Sequence, residues 1–205
     1  IGTHLVDRLI ETGEDVICLD NLSSGSKTNL KKWKNYPKFE FIHGDILDNQ
    51  SIDFDILWHF ACPASPKDYL RDPILTSKIN FDGTYNLLNL ARDQKAKFLF
   101  ASSSEVYGNC DIFPQEEDKL GFISTRNKRS CYSHGKRIAE TLCFDFQDKY
   151  NMDIKVVRIF NTYGPGLRPD DGRVISSFID QGLKGMPLTI YGDGSQTRSF
   201  CFISD

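Results

Sequence analysis

The sequence of 205 residues has no C-x-x-C pair, no clustered histidines and no run of about 18 apolar residues. Its six cysteines, Cys18, Cys62, Cys110, Cys131, Cys143 and Cys201, are scattered. Neither a disulfide frame nor a zinc site is supported, and a reducing, cytoplasmic setting fits best. Cys18 and Cys143 fall in apolar runs and read as small buried residues. His4, His43, His59 and His134 lack metal-ligand spacing, so no metal is expected. No signal peptide or apolar span is present, so membrane contact is not expected in this segment; an anchor ahead of residue 1 stays open. A formal net charge of −3 is small and of the wrong sign for binding nucleic acid. Repeats and low-complexity tracts are missing too. What is left is a globular chain, 40% hydrophobic, able to bury one good core and part of a second domain.

Short apolar segments alternate with helical ones. The helical spacing of Leu5, Val6, Leu9 and Ile10 ends at Gly13. Residues 15–20, 39–45, 56–61, 98–101 and 154–160 read as buried strands. A long helix is expected from Pro73 to about Gln94, and another from about Cys131 to Tyr150. That order predicts an α/β protein with a Rossmann-like doubly wound parallel sheet, covered on both faces.

Tyr132 and Lys136 would share one face of the second long helix, because residues four apart are neighbours there. An ammonium so placed can hold a phenol partly ionised and make it a usable base. Tyr-x-x-x-Lys alone is a weak sign. The order strengthens it: an apolar strand, the hydroxyl-rich stretch Ser102-Ser103-Ser104-Glu105, a loop, then the Tyr/Lys helix. Hydroxyls opposite the phenol would grip the substrate oxygen that the tyrosine deprotonates while a nicotinamide takes hydride from the same carbon. Ser103, Ser104, Glu105, Tyr132 and Lys136 are therefore the candidate catalytic residues.

Gly2 looks like the last glycine of the strand, turn and helix that open a dinucleotide fold, where it permits close helix–strand packing. Asp20 ends the next strand, where an acid binds the adenosine ribose hydroxyls. The opening strand and earlier glycines would then precede residue 1. A slot or a rearranged sheet is expected where that strand belongs, and the piece alone should be poorly stable and bind NAD weakly.

Assembled, these residues resemble the extended short-chain dehydrogenase/reductase family of nucleotide-sugar enzymes along essentially the whole chain. The resemblance also runs through Gly44-Asp45, residues 59–66, Arg158 to Pro165, Asp171-Gly172-Arg173-Val174 and Tyr191 to Arg198. Phe60 and Ser103 replace the Leu and Thr often found in the family and keep the chemical type. The resemblance implies NAD as cofactor, since a ribose-binding acid repels the extra phosphate of NADP. Gly2, Asp20, Asp45, His59, Ala61, Tyr132 and Lys136 would line it. Asn161, Arg173, Tyr191 and Arg198 would face a UDP-sugar, the two guanidiniums suiting a diphosphate. Tyr191 would cover the uridine or pack on Pro187-Leu188. The resemblance divides the chain into an NAD-binding region, 1–165, and the start of a nucleotide-sugar region, 166–205, with a further arginine near the substrate carboxylate expected beyond Asp205. It also implies a homodimer through the helices flanking the serine strand; Leu87, Leu88, Leu142 and Phe146 fit that contact or the core.

Ser104-Glu105 is the pattern of the branch that converts UDP-glucuronate to UDP-xylose. The 4,6-dehydratases resemble Asp-Glu at those positions, and 4-epimerases usually carry a small or hydroxyl residue in place of Glu105. Both remain alternatives, acting on a related nucleotide sugar. A non-catalytic NAD-binding protein on the same fold could dispense with the Tyr/Lys pair.

Overall fold

The computed structural model describes residues 1–205. Its first half runs α1 (Gly2–Glu11), β1 (Val16–Asp20), β2 (Phe39–His43), β3 (Ile56–His59), α2 (Pro66–Tyr69), α3 (Pro73–Lys78) and α4 (Thr84–Gln94). There follow β4 (Lys97–Ser103), α5 (Ser130–Tyr150), β5 (Ile154–Ile159), β6 (Thr162–Tyr163), α6 (Val174–Leu183) and β7 (Cys201–Phe202). Contacts cluster into two units: Ile1–Gly44 with Ser65–Lys67 and Phe160–Asp205, and Asp45–Ala64 with Asp68–Ile159. These are packing units. The cofactor and sugar regions expected above, 1–165 and 166–205, remain a functional division.

In the first unit β1 pairs β2 in parallel, from Val16 opposite Phe39 to Asp20 opposite His43. α1 covers this ladder with Val6 and Ile10, which bury against Val16, flanked by Leu9, Leu30, Trp33, Tyr36 and Phe39. Trp33 Nε1 donates to Asp7 Oδ1 at 2.6 Å and pins the following 3-10 turn to the helix. β6 pairs β7 over two residues only.

The second unit is built on the parallel ladder β3-β4-β5. Its centre, β4, reads Lys-Phe-Leu-Phe-Ala-Ser-Ser and is buried from Phe98 on except at half-buried Leu99, as a strand covered on both faces must be. α3 starts on Asp72, whose carboxylate accepts the Leu75 N–H at 2.9 Å, with Pro73 at the first position. The single long helix expected from Pro73 to Gln94 is interrupted by a π turn, Ile79–Gly83. That bulge turns Asn80 inward to 1% exposed. α4 then lays Leu87, Leu88 and Ala91 on the sheet, and α5 adds Ala139, Cys143 and Phe146. Leu87, Leu88 and Phe146 are thus core residues. α5 ends at Asn151 in the left-handed region, φ 53°, a role asparagine tolerates.

Cys143 is buried, as read from its apolar run, whereas Cys18 is only half-buried on an edge strand. Every strand pairing is parallel, as expected, but the strands form separate ladders, and nothing pairs β1 with β3. No helix is long and apolar enough to cross a membrane.

Candidate active site

The strand, turn and helix of the second unit converge on Tyr132. β4 continues through the serines to Ser103, two residues beyond the apolar run. Ser103 Oγ then accepts the Glu105 N–H at 3.3 Å and opens a 3-10 turn, Ser104–Tyr107. This is the local bonding that serine prefers at a helix start. Tyr132 and Lys136 lie on successive turns of α5, 7% and 3% exposed. Lys136 Nζ donates to the Ala101 carbonyl at 2.9 Å, 4.6 Å from the centre of the Phe100 ring and 5.9 Å from that of Tyr132. Burial holds the Lys136 ammonium below the ordinary lysine range, with nearby Cys62, Cys143 and Glu140 opposing.

His59 lies beneath, 2% exposed, with Nε2 at 3.1 Å from Thr84 Oγ1 and its ring against Phe98 and Phe100. Burial first, and the Lys136 charge second, lower its pKa to about 3, so it is neutral at ordinary pH. His59 Nδ1 and Ser102 Oγ are buried without a protein partner. Ala61 is half-buried beside Cys62, whose thiol donates to Asn80 Oδ1 at 3.4 Å. Asp45 Oδ1 accepts the Leu47 N–H at 3.0 Å, and Asn86 braces this loop at the Ile46 carbonyl, 3.2 Å away.

Four contacts here were not foreseen. The ring of Tyr69 stacks on that of Tyr132, centres 5.0 Å apart and planes 9° from parallel. Arg129 pairs with Glu105 at 3.2 Å, and Ser133 reaches the other carboxylate oxygen at 3.3 Å. Asn80 packs on Gly135 so closely that a Cβ there would fall 2.8 Å from Asn80 Nδ2. Arg129 and Ser133 had a legible signal, since each is a whole turn or nearly so from Tyr132 or Lys136 on one helix. Tyr69 and Asn80 had none, because a short helix and a π turn bring them in.

The nucleotide-facing candidates belong to the first unit. Asp20 Oδ1 accepts the Leu22 N–H at 2.6 Å, and a Cβ on Gly25 would come within 3.1 Å of Oδ2, so the loop wraps this carboxylate. Gly2 opens α1 with clear space about it. Arg173 pairs with buried Asp171, its Nη2 at 3.0 Å from Oδ1. Asn161 Nδ2 donates to the Ser199 carbonyl at 3.1 Å. Tyr191 is 81% exposed, and Arg198 Nη1 donates to the Thr197 carbonyl at 2.6 Å. These four residues are not drawn together as the catalytic group is. No group of three or more His, Cys, Asp or Glu is placed to hold a metal.

A parallel α/β frame thus carries a buried Tyr–Lys pair on the helix that follows the serine-ended strand. The chain belongs to the NAD dependent epimerase/dehydratase family, which matches it over residues 1–205. It is 50% identical to UDP-glucuronic acid decarboxylase 5 of Arabidopsis thaliana, covering 100% of this chain and 60% of that protein. Among solved structures it is similar to a UDP-glucuronic acid 4-epimerase from Bacillus cereus, in complex with UDP-glucuronic acid and NAD: TM-score 0.85, 30% identity, 100% of this chain and 66% of that one. A dTDP-glucose 4,6-dehydratase from Streptomyces venezuelae, with NAD bound, gives TM-score 0.85 at 27% identity over 98% of this chain and 64% of that one. The chain thus spans about 60% of the length of the plant relative.

Proposed function

We propose that, at its relatives' length, the protein is an NAD-dependent UDP-glucuronate decarboxylase producing UDP-xylose. The observation that carries this reading is the joining of Glu105 to the Tyr132–Lys136 helix through Arg129 and Ser133. A serine at 104 leaves no second acid there for expelling a hydroxyl, which disfavours the dehydratase reading. The solved epimerase and dehydratase structures it resembles are at 31% identity or below, against 50% for the decarboxylase.

The residues present fit NAD. Asp20 offers a carboxylate wrapped by a glycine loop for ribose hydroxyls. Lys136 is a buried ammonium, and His59 Nδ1 and Ser102 Oγ are buried polar atoms that lack partners within the protein. Gly2, Asp20, Asp45, His59, Ala61, Tyr132 and Lys136 would hold the cofactor. Bound NAD would supply a hydride acceptor for C4 and give the hydride back at the end.

Tyr132 takes the proton of the C4 hydroxyl, and the Lys136 ammonium beside its ring favours the phenolate. Ser103 and Ser104 hold the same oxygen. The oxidised sugar is a ketone β to the C5 carboxylate, a class of acid that loses carbon dioxide through an enolate. Hydroxyl donors at the C4 oxygen stabilise that enolate. Glu105 serves the C5 end, where a proton must be added after carbon dioxide leaves.

Asn161, Tyr191 and Arg198 are read as UDP contacts. Arg173 is read with them, the two guanidiniums facing the diphosphate. We assign a homodimer to the face of α3, the π turn and α5, where Ile74, Phe81 and Ile138 are 83%, 44% and 39% exposed. The six free cysteines suit a cytoplasmic setting.

The test is an assay of the full-length protein with UDP-glucuronate and NAD. Carbon dioxide and a UDP-pentose should form in equal amounts without matching NADH. A 4-keto-6-deoxy sugar made from a nucleotide hexose, with UDP-glucuronate inert, would transfer the assignment to the dehydratases.

A further inference from the structure

Glu105 separates the decarboxylase reading from its rivals, so whatever aims its carboxylate bears on the reaction. Its backbone is fixed by Ser103 Oγ, which accepts its N–H at 3.3 Å and leaves the side chain free to turn. The two carboxylate oxygens are taken by donors at the start of α5, from its N-cap residue and its first turn: Arg129 Nη1 on Oε1 at 3.2 Å and Ser133 Oγ on Oε2 at 3.3 Å.

The two donors are unequal. The Arg129 and Glu105 side chains are 50% and 36% exposed, and exposed ion pairs contribute little because water screens them. Ser133 is 3% exposed, directly follows Tyr132, and cannot shift unless α5 shifts. Its hydroxyl has one proton and two acceptors, Glu105 Oε2 and the Arg129 carbonyl, each at 3.3 Å. A serine inside a helix ordinarily gives its proton to the carbonyl four residues back. An ionised carboxylate is the stronger acceptor. The hydroxyl therefore has two states, the favoured one turned to Glu105 and the other turned to the carbonyl. Neither state leaves a buried donor without a partner.

We infer that Ser133 is a positioning residue that aims the Glu105 carboxylate in the active site. The inference rests on the reading of Glu105 as part of a decarboxylase site. Ser133 acts through Glu105, which makes the two residues one energetic unit.

A double-mutant cycle in the full-length protein tests this. Ser133→Ala should lose about ten-fold in kcat while KM for UDP-glucuronate stays within about two-fold, the pattern of a misaimed group rather than lost binding. Ser133→Thr keeps the hydroxyl and should restore most of the rate. In a Glu105→Gln background, Ser133→Ala should cost nothing further. Equal losses in both backgrounds, or a Thr variant as poor as Ala, would overturn the inference. Should Ser133→Ala fail to fold, Ser133→Cys, a much weaker donor, takes its place with the same outcomes. If the wild type leaves UDP-glucuronate untouched, the decarboxylase reading falls, and the crystal structure of the variant decides on Ser133. A Glu105 carboxylate swung to Arg129 or solvent upholds the positioning role, and an unchanged rotamer overturns it.

Discussion

In the second unit Leu88, Ala91, Phe100, Val106, Ala139 and Cys143 are all 0% exposed, and the residues proposed for catalysis stand directly on that core. In the first unit the buried cluster is Val6, Ile10 and Val16, and every residue from 182 to 202 is exposed. The contrast separates two kinds of functional residue. The proposed base and its ammonium need one geometry, and Tyr132 and Lys136 are seated on a helix that also carries core residues. Asn161, Tyr191 and Arg198, proposed for UDP, sit on loops, where binding residues are commonly found. Polar links follow the same division. The second unit holds a half-hidden pair, Arg158 to Glu140 at 2.9 Å, with side chains 16% and 7% exposed, whereas Lys67 to Asp170 in the first unit is 57% and 65% exposed.

The sharpest way to break this comparison is to remove the base. Tyr132→Phe in the full-length protein should keep NAD and UDP-sugar binding and lose about 10²–10⁴-fold in turnover, the usual contribution of a positioned base. Activity within about three-fold of wild type would remove Tyr132 from that role. The frame beneath it should be nearly as sensitive. Leu88→Ala, in the buried seam of α4, should destabilise by about 2–5 kcal/mol in chemical denaturation. The same change at Leu188, 52% exposed, should stay within about 0.5 kcal/mol. Equal costs at the two sites would erase the distinction between the units.

Acid should act through the second unit as well. His59 has its pKa lowered to about 3 by burial, against an ordinary value of 6.5 when unfolded. Between those values the unfolded chain binds the proton and the folded one does not. The contribution is complete above about pH 6.5 and is lost as pH falls toward 3. Melting temperature should therefore drop below pH 6.5, and His59→Phe, if it folds, should flatten that dependence. An identical slope in both proteins would show that His59 is not the group responsible. The smallest effect is expected at Tyr191: without ligand, Tyr191→Ala should leave the melt unchanged, since the side chain is 81% exposed.

Much of this arrangement was legible from pattern. The alternation of apolar and helical segments foretold every strand of the two longer ladders, and the Tyr–Lys spacing foretold the buried pair on α5. Periodicity reports regular elements, so it could not report the π turn that turns Asn80 inward or the short helix that delivers Tyr69 to Tyr132. It also overrated Cys18, since an apolar run does not say whether its strand lies at the edge of a ladder. The residues read as facing UDP came from resemblance alone, since they lie on loops without a regular period.

The central claim is that the Tyr132 site oxidises C4, lets carbon dioxide leave, and restores C4 within one catalytic cycle. The direct measurement is isotopic: UDP-glucuronate carrying deuterium at C4, turned over by the full-length protein in ordinary water, and the reverse experiment in heavy water. The account predicts UDP-xylose that retains the C4 label in the first case and gains one deuterium at C5 in the second. Loss of the C4 label to solvent, or a pentose with no solvent hydrogen at C5, would contradict it.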